Sequence, residues 1–128
     1  MKILSTSRSS NNTRRWYARY REDPHHQMMH RMRGKLVGVM RAILKGQGNP
    51  SVAFLSVPSI YHFAAHIESQ FSPDMTWDDY GRYGWHTHHN IPVASFDLSD
   101  PKQALACYHY RNLEPMWHTE NLSKGSRY

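Results

Sequence analysis

Two stretches concentrate the side chains able to move protons or hold a metal. Trp85-His86-Thr87-His88-His89-Asn90-Ile91-Pro92 sets three imidazoles on a short apolar segment. Histidine changes charge near neutral pH and is also the commonest metal ligand. The second stretch, Asn112-Leu113-Glu114-Pro115-Met116-Trp117-His118-Thr119-Glu120-Asn121, follows about one small supersecondary unit later. It reads as an Asn-Leu-x-Pro turn and then a short amphipathic helix carrying Asn121. His118 and Asn121 stand at i,i+3, nearly on one helical face. His62 and His66, one helical turn apart elsewhere, could hold a metal in principle. No third ligand stands near them in sequence, so a surface or capping role is expected.

The rest of the chain must position these groups with little apolar material. Its 128 residues suit one small domain with an N-terminal extension, and mean hydropathy is −0.76. Such a core is small and leans on aromatic side chains. The single cysteine, Cys107, excludes an internal disulfide framework and fits a reducing cytoplasm. No apolar run is long enough to cross a bilayer, so no membrane partner is expected.

Charge is distributed unevenly. Residues 1–45 carry eleven Lys and Arg against Glu22 and Asp23, net +9, while the remainder carries five against eight, net −3. A basic arm joined to a near-neutral body points to a polyanion such as nucleic acid, although a solvated basic helix has the same composition. From Thr13 to Arg21, Arg14, Arg15, Arg19 and Arg21 interleave with Trp16, Tyr17 and Tyr20. That mixture suits phosphate and base contacts as well as it suits docking of a helix on the body.

Local signals set out the elements. Asp23-Pro24 reads as an N-cap followed by proline at the first helical position. Met29, Met32, Leu36, Met40 and Ile43 then mark the apolar face of a helix ending near Lys45, with Gly46 as its C-cap. Arg31, Arg33, Lys35 and Arg41 fall on other faces. Gly34 and Gly38 each weaken the helix by roughly 1 kcal/mol relative to Ala, which suggests close packing against them. Ser51 to Val57 leans toward a short strand. Ser59 caps a second helix striped by Ile60, Phe63, Ala64, Ile67 and Phe71, ended by Ser72-Pro73-Asp74. Trp77 and Tyr80 are expected to wedge the next loop against the core, and Gly81 and Gly84 to allow the turn into the histidine strand.

Residues from about Arg31 to Tyr128 resemble the small phage-type HNH (ββα-metal) endonucleases. The resemblance rests on ordered landmarks: Met32-Arg33, Ile67-Glu68-Ser69-Gln70-Phe71, Met75-Thr76-Trp77 with Tyr80-Gly81, and Trp85-His86. Ser95-Phe96-Asp97-Leu98-Ser99-Asp100-Pro101 and Tyr108-His109-Tyr110 before Asn112-Leu113 complete the series. It implies an α+β fold in which a basic helical N-terminal region precedes a C-terminal ββα-metal module. The expected divisions are an arm over 1–22, a helical DNA-binding and packing region over 23–72, and the nuclease module over 73–128. A helix over about Pro101 to Tyr108 separates the two strands.

The resemblance also implies roles. His89 is the general base, Asn112 braces the loop and orients that base, and His88 and Asn121 hold one divalent metal ion. Adjacent strand residues point to opposite faces, so a twist or bulge is expected where His88 and His89 meet the scissile phosphate. Mg²⁺ is the family's usual ion. Asp usually precedes the base, however, and His88 here makes Mn²⁺, Ni²⁺, Co²⁺ or Zn²⁺ plausible. His118 is an extra ligand, a phosphate contact or a surface residue. His86 either supports the ligand, faces DNA, or packs under Trp117. Lys124 and Arg127 follow the site helix, where they can grip the flanking backbone.

The implied activity is metal-dependent cleavage of double-stranded DNA, nicking as a monomer, in the manner of a free-standing phage homing enzyme in the cytoplasm of an infected bacterial host. Two alternatives stand beside it. One is an impaired HNH-fold module that binds DNA or protein. The other is a nonspecific nuclease using a transition metal, as the nuclease colicins do. Deleting residues 1–22 removes Lys2, Arg8, Arg14, Arg15, Arg19 and Arg21. It is expected to weaken DNA binding and flatten the slope of log affinity against log salt; an unchanged slope would mean the arm is off the phosphates.

Overall fold

A computed structural model describes residues 22–123, with side chains up to Glu120. The fold is α+β, with four helices and a two-stranded antiparallel sheet among the described residues. The order is α1 (Pro24–Lys45), α2 (Ile60–Glu68), β1 (Trp85–His89), α3 (Pro101–Tyr108), β2 (Leu113–Trp117) and α4 (His118–Ser123). No described helix is long and apolar enough to cross a membrane.

Helix α1 starts and stops where its local chemistry directs. The Asp23 side chain accepts from the His25 N–H at 2.9 Å, and Pro24 loses nothing by lacking a donor at that position. Gly46 closes the helix in the left-handed region (φ 62°, ψ 27°), donating to the Ala42 and Ile43 carbonyls. Met32, Leu36, Val39 and Met40 are buried along one face, with Met29 and Ile43 packed at its margin. Val39 belongs to this stripe although the methionine spacing does not single it out. Gly34 and Gly38 differ from expectation: among the described residues nothing lies within 4 Å of where their Cβ atoms would stand. They leave part of the α1 surface smooth rather than admitting a close neighbour.

Ser51–Val57 forms no strand. Ala53–Leu55 is a short 3-10 turn that buries Phe54, Leu55 and Val57, with Ser56 in the left-handed region (φ 58°). Phe54 and Leu55 are adjacent and both need burial, which an extended strand would oppose by sending them to opposite faces. Helix α2 begins after Ser59, whose side chain accepts from the His62 N–H. It ends at Glu68, earlier than the apolar stripe suggests. Turn bonds from Gln70 to Ile67 and from Phe71 to Glu68 follow, so Phe71 leaves the helix.

Phe71 leaves to join an aromatic cluster around Trp85. Trp85 is wholly buried, with ring centroids of Phe71, Trp77 and Tyr80 at 5.1, 5.5 and 5.0 Å, all edge-on. Its indole N–H donates to the Thr76 carbonyl at 2.7 Å. Thr76 and Asp79 close a capping box around the 3-10 turn Trp77–Asp79. Trp77 and Trp117 also place their indole N–H groups, on Glu68 at 2.9 Å and Ser72 at 3.2 Å. Gly81 takes φ 150°, and a Cβ on Gly84 would sit 1.5 Å from the Asp79 carbonyl oxygen. Only glycine fits at position 84.

The strands pair without interruption: Trp85 with Trp117, His86 with Met116, Thr87 with Pro115, His88 with Glu114 and His89 with Leu113. Asn112 ends the 3-10 turn Tyr110–Asn112, and Leu113 to Pro115 of the Asn-Leu-x-Pro segment already belong to β2; Pro115 is tolerated because each strand of a two-stranded sheet has an open edge. Helix α3 occupies the connection over the expected residues, capped by Asp100 ahead of Pro101. Two glycine substitutions should move stability in opposite directions. Gly84→Ala should destabilise by about 1–3 kcal/mol or more through overpacking, whereas Gly34→Ala, in open space on α1, should stabilise by roughly 1 kcal/mol. Chemical denaturation of both variants checks the pair.

Candidate active site

The two histidine-bearing stretches meet across the hairpin. His89 ends β1 and is 8% exposed, with its ring edge-on to Tyr108 at 4.7 Å between centroids. Its Nδ1 lies 3.1 Å from the Cys107 carbonyl oxygen. A carbonyl only accepts, so Nδ1 carries the proton and Nε2 keeps its lone pair. The same oxygen receives a second bond, from the Asn112 amide nitrogen at 2.8 Å.

Asn112 closes a loop around this acceptor. It is 9% exposed, accepts from the Ile91 N–H at 2.8 Å and donates to the Ile91 carbonyl at 3.2 Å. Its own backbone carbonyl accepts from the Asn90 N–H at 2.8 Å. The chain leaving β1 and the chain entering β2 are thus tied together at the base of the histidine ring.

Burial lowers the pKa of His89, reinforced by the neighbouring His88 and the Arg33 guanidinium; the bond to the Cys107 carbonyl opposes this. His89 therefore stays neutral at lower pH than an ordinary histidine. Burial pushes the Cys107 thiol up to about 11 and the Tyr108 phenol up to about 12. Neither is a nucleophile near neutral pH.

His88 is the residue paired with Glu114. Its Nδ1 lies 3.5 Å from Glu114 Oε1, with the two side chains 14% and 31% exposed. Of the twist or bulge expected at His88 and His89, the bulge is absent, because the register runs unbroken through both pairs. The two rings therefore leave the strand on opposite faces. His86, two residues back, places Nε2 3.1 Å from the Arg82 carbonyl and its ring 5.8 Å from that of His118. Its ring neighbour is His118, whereas its cross-strand partner is Met116. His118 opens α4, donates its backbone N–H to the Gly84 carbonyl at 2.8 Å, and meets the exposed Tyr83 at 6.1 Å.

Asn121 lies on α4, three residues beyond His118, but its side chain falls outside the described residues. Arg14, Arg15, Arg19, Arg21, Lys124 and Arg127 fall outside them too. Arg31, Arg33, Lys35 and Arg41 are exposed on α1. Arg33 reaches electrostatically to His89 and Tyr108, Arg41 to Tyr80, and Lys35 sits over the Phe54 ring at 5.7 Å. The His62–His66 pair holds structure together. His62 meets the Ser59 hydroxyl at 2.7 Å, and half-buried His66 places Nε2 3.0 Å from the Leu113 carbonyl and its ring against Tyr110.

Glu114 and Asn90 are polar members of the site to which sequence reading assigns no role. No spacing rule marks them, since the meeting of Glu114 with His88 and with Asn90 depends on cross-strand register. Among the described residues no three His, Cys, Asp or Glu side chains converge on a metal-binding point. The donor types present are nevertheless ones that a divalent ion accepts. His88 offers an imidazole beside the Glu114 carboxylate, and α4 carries Asn121. That nitrogen-containing set suits the later first-row metals better than Mg²⁺.

The chain is similar to two uncharacterised proteins of Acanthamoeba polyphaga mimivirus. One is 32% identical over 109 residues, covering 85% of this chain and 46% of the relative. The other is 29% identical over 106 residues, covering 83% and 45%. The chain thus spans a little under half the length of these relatives. No protein-family model matches it. No solved structure matches either.

The His89 environment has a measurable sign. Its folded midpoint lies below the ordinary 6.5, so the unfolded chain takes up the proton first as pH falls. The stabilising contribution of neutral His89 is complete above about 6.5 and is lost as pH drops from there toward the folded midpoint. An NMR titration should place the His89 midpoint below that of exposed histidines, and unfolding free energy should decline over the same acidic window. A midpoint at or above 6.5 would contradict the burial argument.

Proposed function

We propose that the chain is a metal-dependent DNA endonuclease of the HNH type, nicking phosphodiester bonds with His89 as general base. The observation that carries this reading is the shared Cys107 carbonyl. It holds His89 Nδ1–H at 3.1 Å and Asn112 Nδ2 at 2.8 Å, so the ring is fixed and its basic nitrogen is Nε2. His89, kept neutral by burial, removes a proton from water through Nε2 as the water attacks phosphorus in line. The bond from phosphorus to the 3′ oxygen breaks and that oxygen takes a proton from solvent, leaving 5′-phosphate and 3′-hydroxyl ends. Arg33, close enough to act on His89, attracts the anionic phosphate to the base. His88 and Asn121 would hold a divalent ion, which when bound neutralises charge on the phosphate and the leaving oxygen. The excess of basic residues over 1–45 supports DNA as the polyanion.

Plasmid relaxation in Mg²⁺, Mn²⁺, Ni²⁺ and Zn²⁺ tests this reading. His89→Ala should lower nicking by about 10²–10⁴-fold, the usual worth of a general base, while DNA affinity stays nearly unchanged. Turnover near the wild-type rate would remove His89 from the mechanism. His88→Asp should shift the ratio of rates toward Mg²⁺, since a carboxylate oxygen suits that ion and an imidazole suits the later metals. A wild-type protein inactive in every metal, with activity restored by His88→Asp, would instead identify an impaired nuclease.

A further inference from the structure

We infer that Glu114 is a positioning residue for His88, fixing which of its ring nitrogens faces a bound metal ion. This inference rests on the metal-dependent reading of the site and adds a residue to it. Glu114 is the registered partner of His88 across the sheet, and its Oε1 lies 3.5 Å from His88 Nδ1. That is ion-pair distance, longer than a good hydrogen bond. The carboxylate is itself held. With the Asn90 amide turned so that its nitrogen faces Glu114, it donates at 2.9 Å to Oε1 and 3.1 Å to Oε2. The opposite orientation sets the amide oxygen against the carboxylate.

A carboxylate accepts but does not donate, so its neighbour Nδ1 is the nitrogen that carries the proton. His88 Nε2 is then the unprotonated nitrogen, the one able to bind a metal. Metal-binding histidines regularly give their other N–H to a carboxylate or carbonyl, which fixes the tautomer and raises ligand basicity. The arrangement parallels that of His89, whose Nδ1–H is committed to the Cys107 carbonyl. One oxygen acceptor beside each ring's Nδ1 therefore leaves Nε2 as the unprotonated nitrogen of both. Glu114 also brings negative charge beside an otherwise neutral imidazole ligand, favouring retention of a divalent cation.

The test uses the full chain with Ni²⁺ as probe and does not depend on cleavage. Long-range proton–nitrogen NMR, with His88→Ala assigning the signal, should find His88 protonated on Nδ1. Glu114→Gln should abolish that preference and weaken Ni²⁺ binding by about 10–100-fold in calorimetry, the usual effect of removing such a partner. Glu114→Asp, which keeps the charge on a shorter stem, should fall between Gln and wild type. An Nε2-protonated His88 in the wild type, a Gln variant within twofold of wild-type affinity, or an Asp variant no better than Gln would each overturn the inference. The metal-site reading fails separately, if His88→Ala itself leaves Ni²⁺ affinity unchanged.

Discussion

Burial of Trp85 is the constraint on which the rest of this small structure depends. The chain has few aliphatic side chains to spend on a core, so a single indole gathers Phe71, Trp77 and Tyr80 around it at about one ring diameter. Trp85 is also the first residue of the histidine strand. Fixing its ring therefore fixes where β1 starts, and the unbroken pairing carries that choice four residues along to His89. The tight approach of Gly84 to the Asp79 carbonyl and the indole bond to Thr76 both serve this placement. A slip of one residue would turn His89 out of its buried niche and bring His86 and His88 to its side of the sheet.

A second set of contacts transmits position from the helices. His66 reaches from α2 to the Leu113 carbonyl, at the residue paired with His89. His25, near the start of α1, accepts from the Leu98 N–H at 3.0 Å and so anchors the loop ahead of α3. Phe54, on the 3-10 turn, faces Tyr108 at 6.3 Å, and Tyr108 in turn carries the His89 ring. Each contact joins residues far apart in sequence. Together with the buried Leu36, Ile67, Leu98 and Leu113 they place the hairpin against α1 and α2.

What could be read from the sequence was what is local. Asp23-Pro24, Gly46, Ser59 and Asp100-Pro101 act on their own neighbours, and each helix start is where those residues indicate. The span of α3 was legible for the same reason. Ser51–Val57 was not, because β propensity has no force without a neighbouring strand edge, and burial of Phe54 beside Leu55 favours a turn. The early end of α2 depends on the pull of the Trp85 cluster on Phe71, a tertiary effect. At the site, the histidine run is conspicuous by type, while the roles expected of His88, His89 and Asn112 come from the resemblance to HNH enzymes. Glu114 did not, since the register that sets it opposite His88 is decided by packing elsewhere. Likewise the absence of a bulge is a property of the paired strands, invisible in either one alone.

The acceptor that organises His89 and Asn112 belongs to the main chain of Cys107, and this has a genetic consequence. Any amino acid at position 107 brings the same carbonyl, so no codon change there deletes it. Replacing the buried thiol perturbs packing and leaves the hydrogen-bonding oxygen in place. A mutational scan would register position 107 as a matter of size and polarity, and His89 and Asn112 as sensitive positions without an obvious connection. The link between them is written in the peptide backbone, where sequence variation cannot remove it and sequence comparison cannot see it.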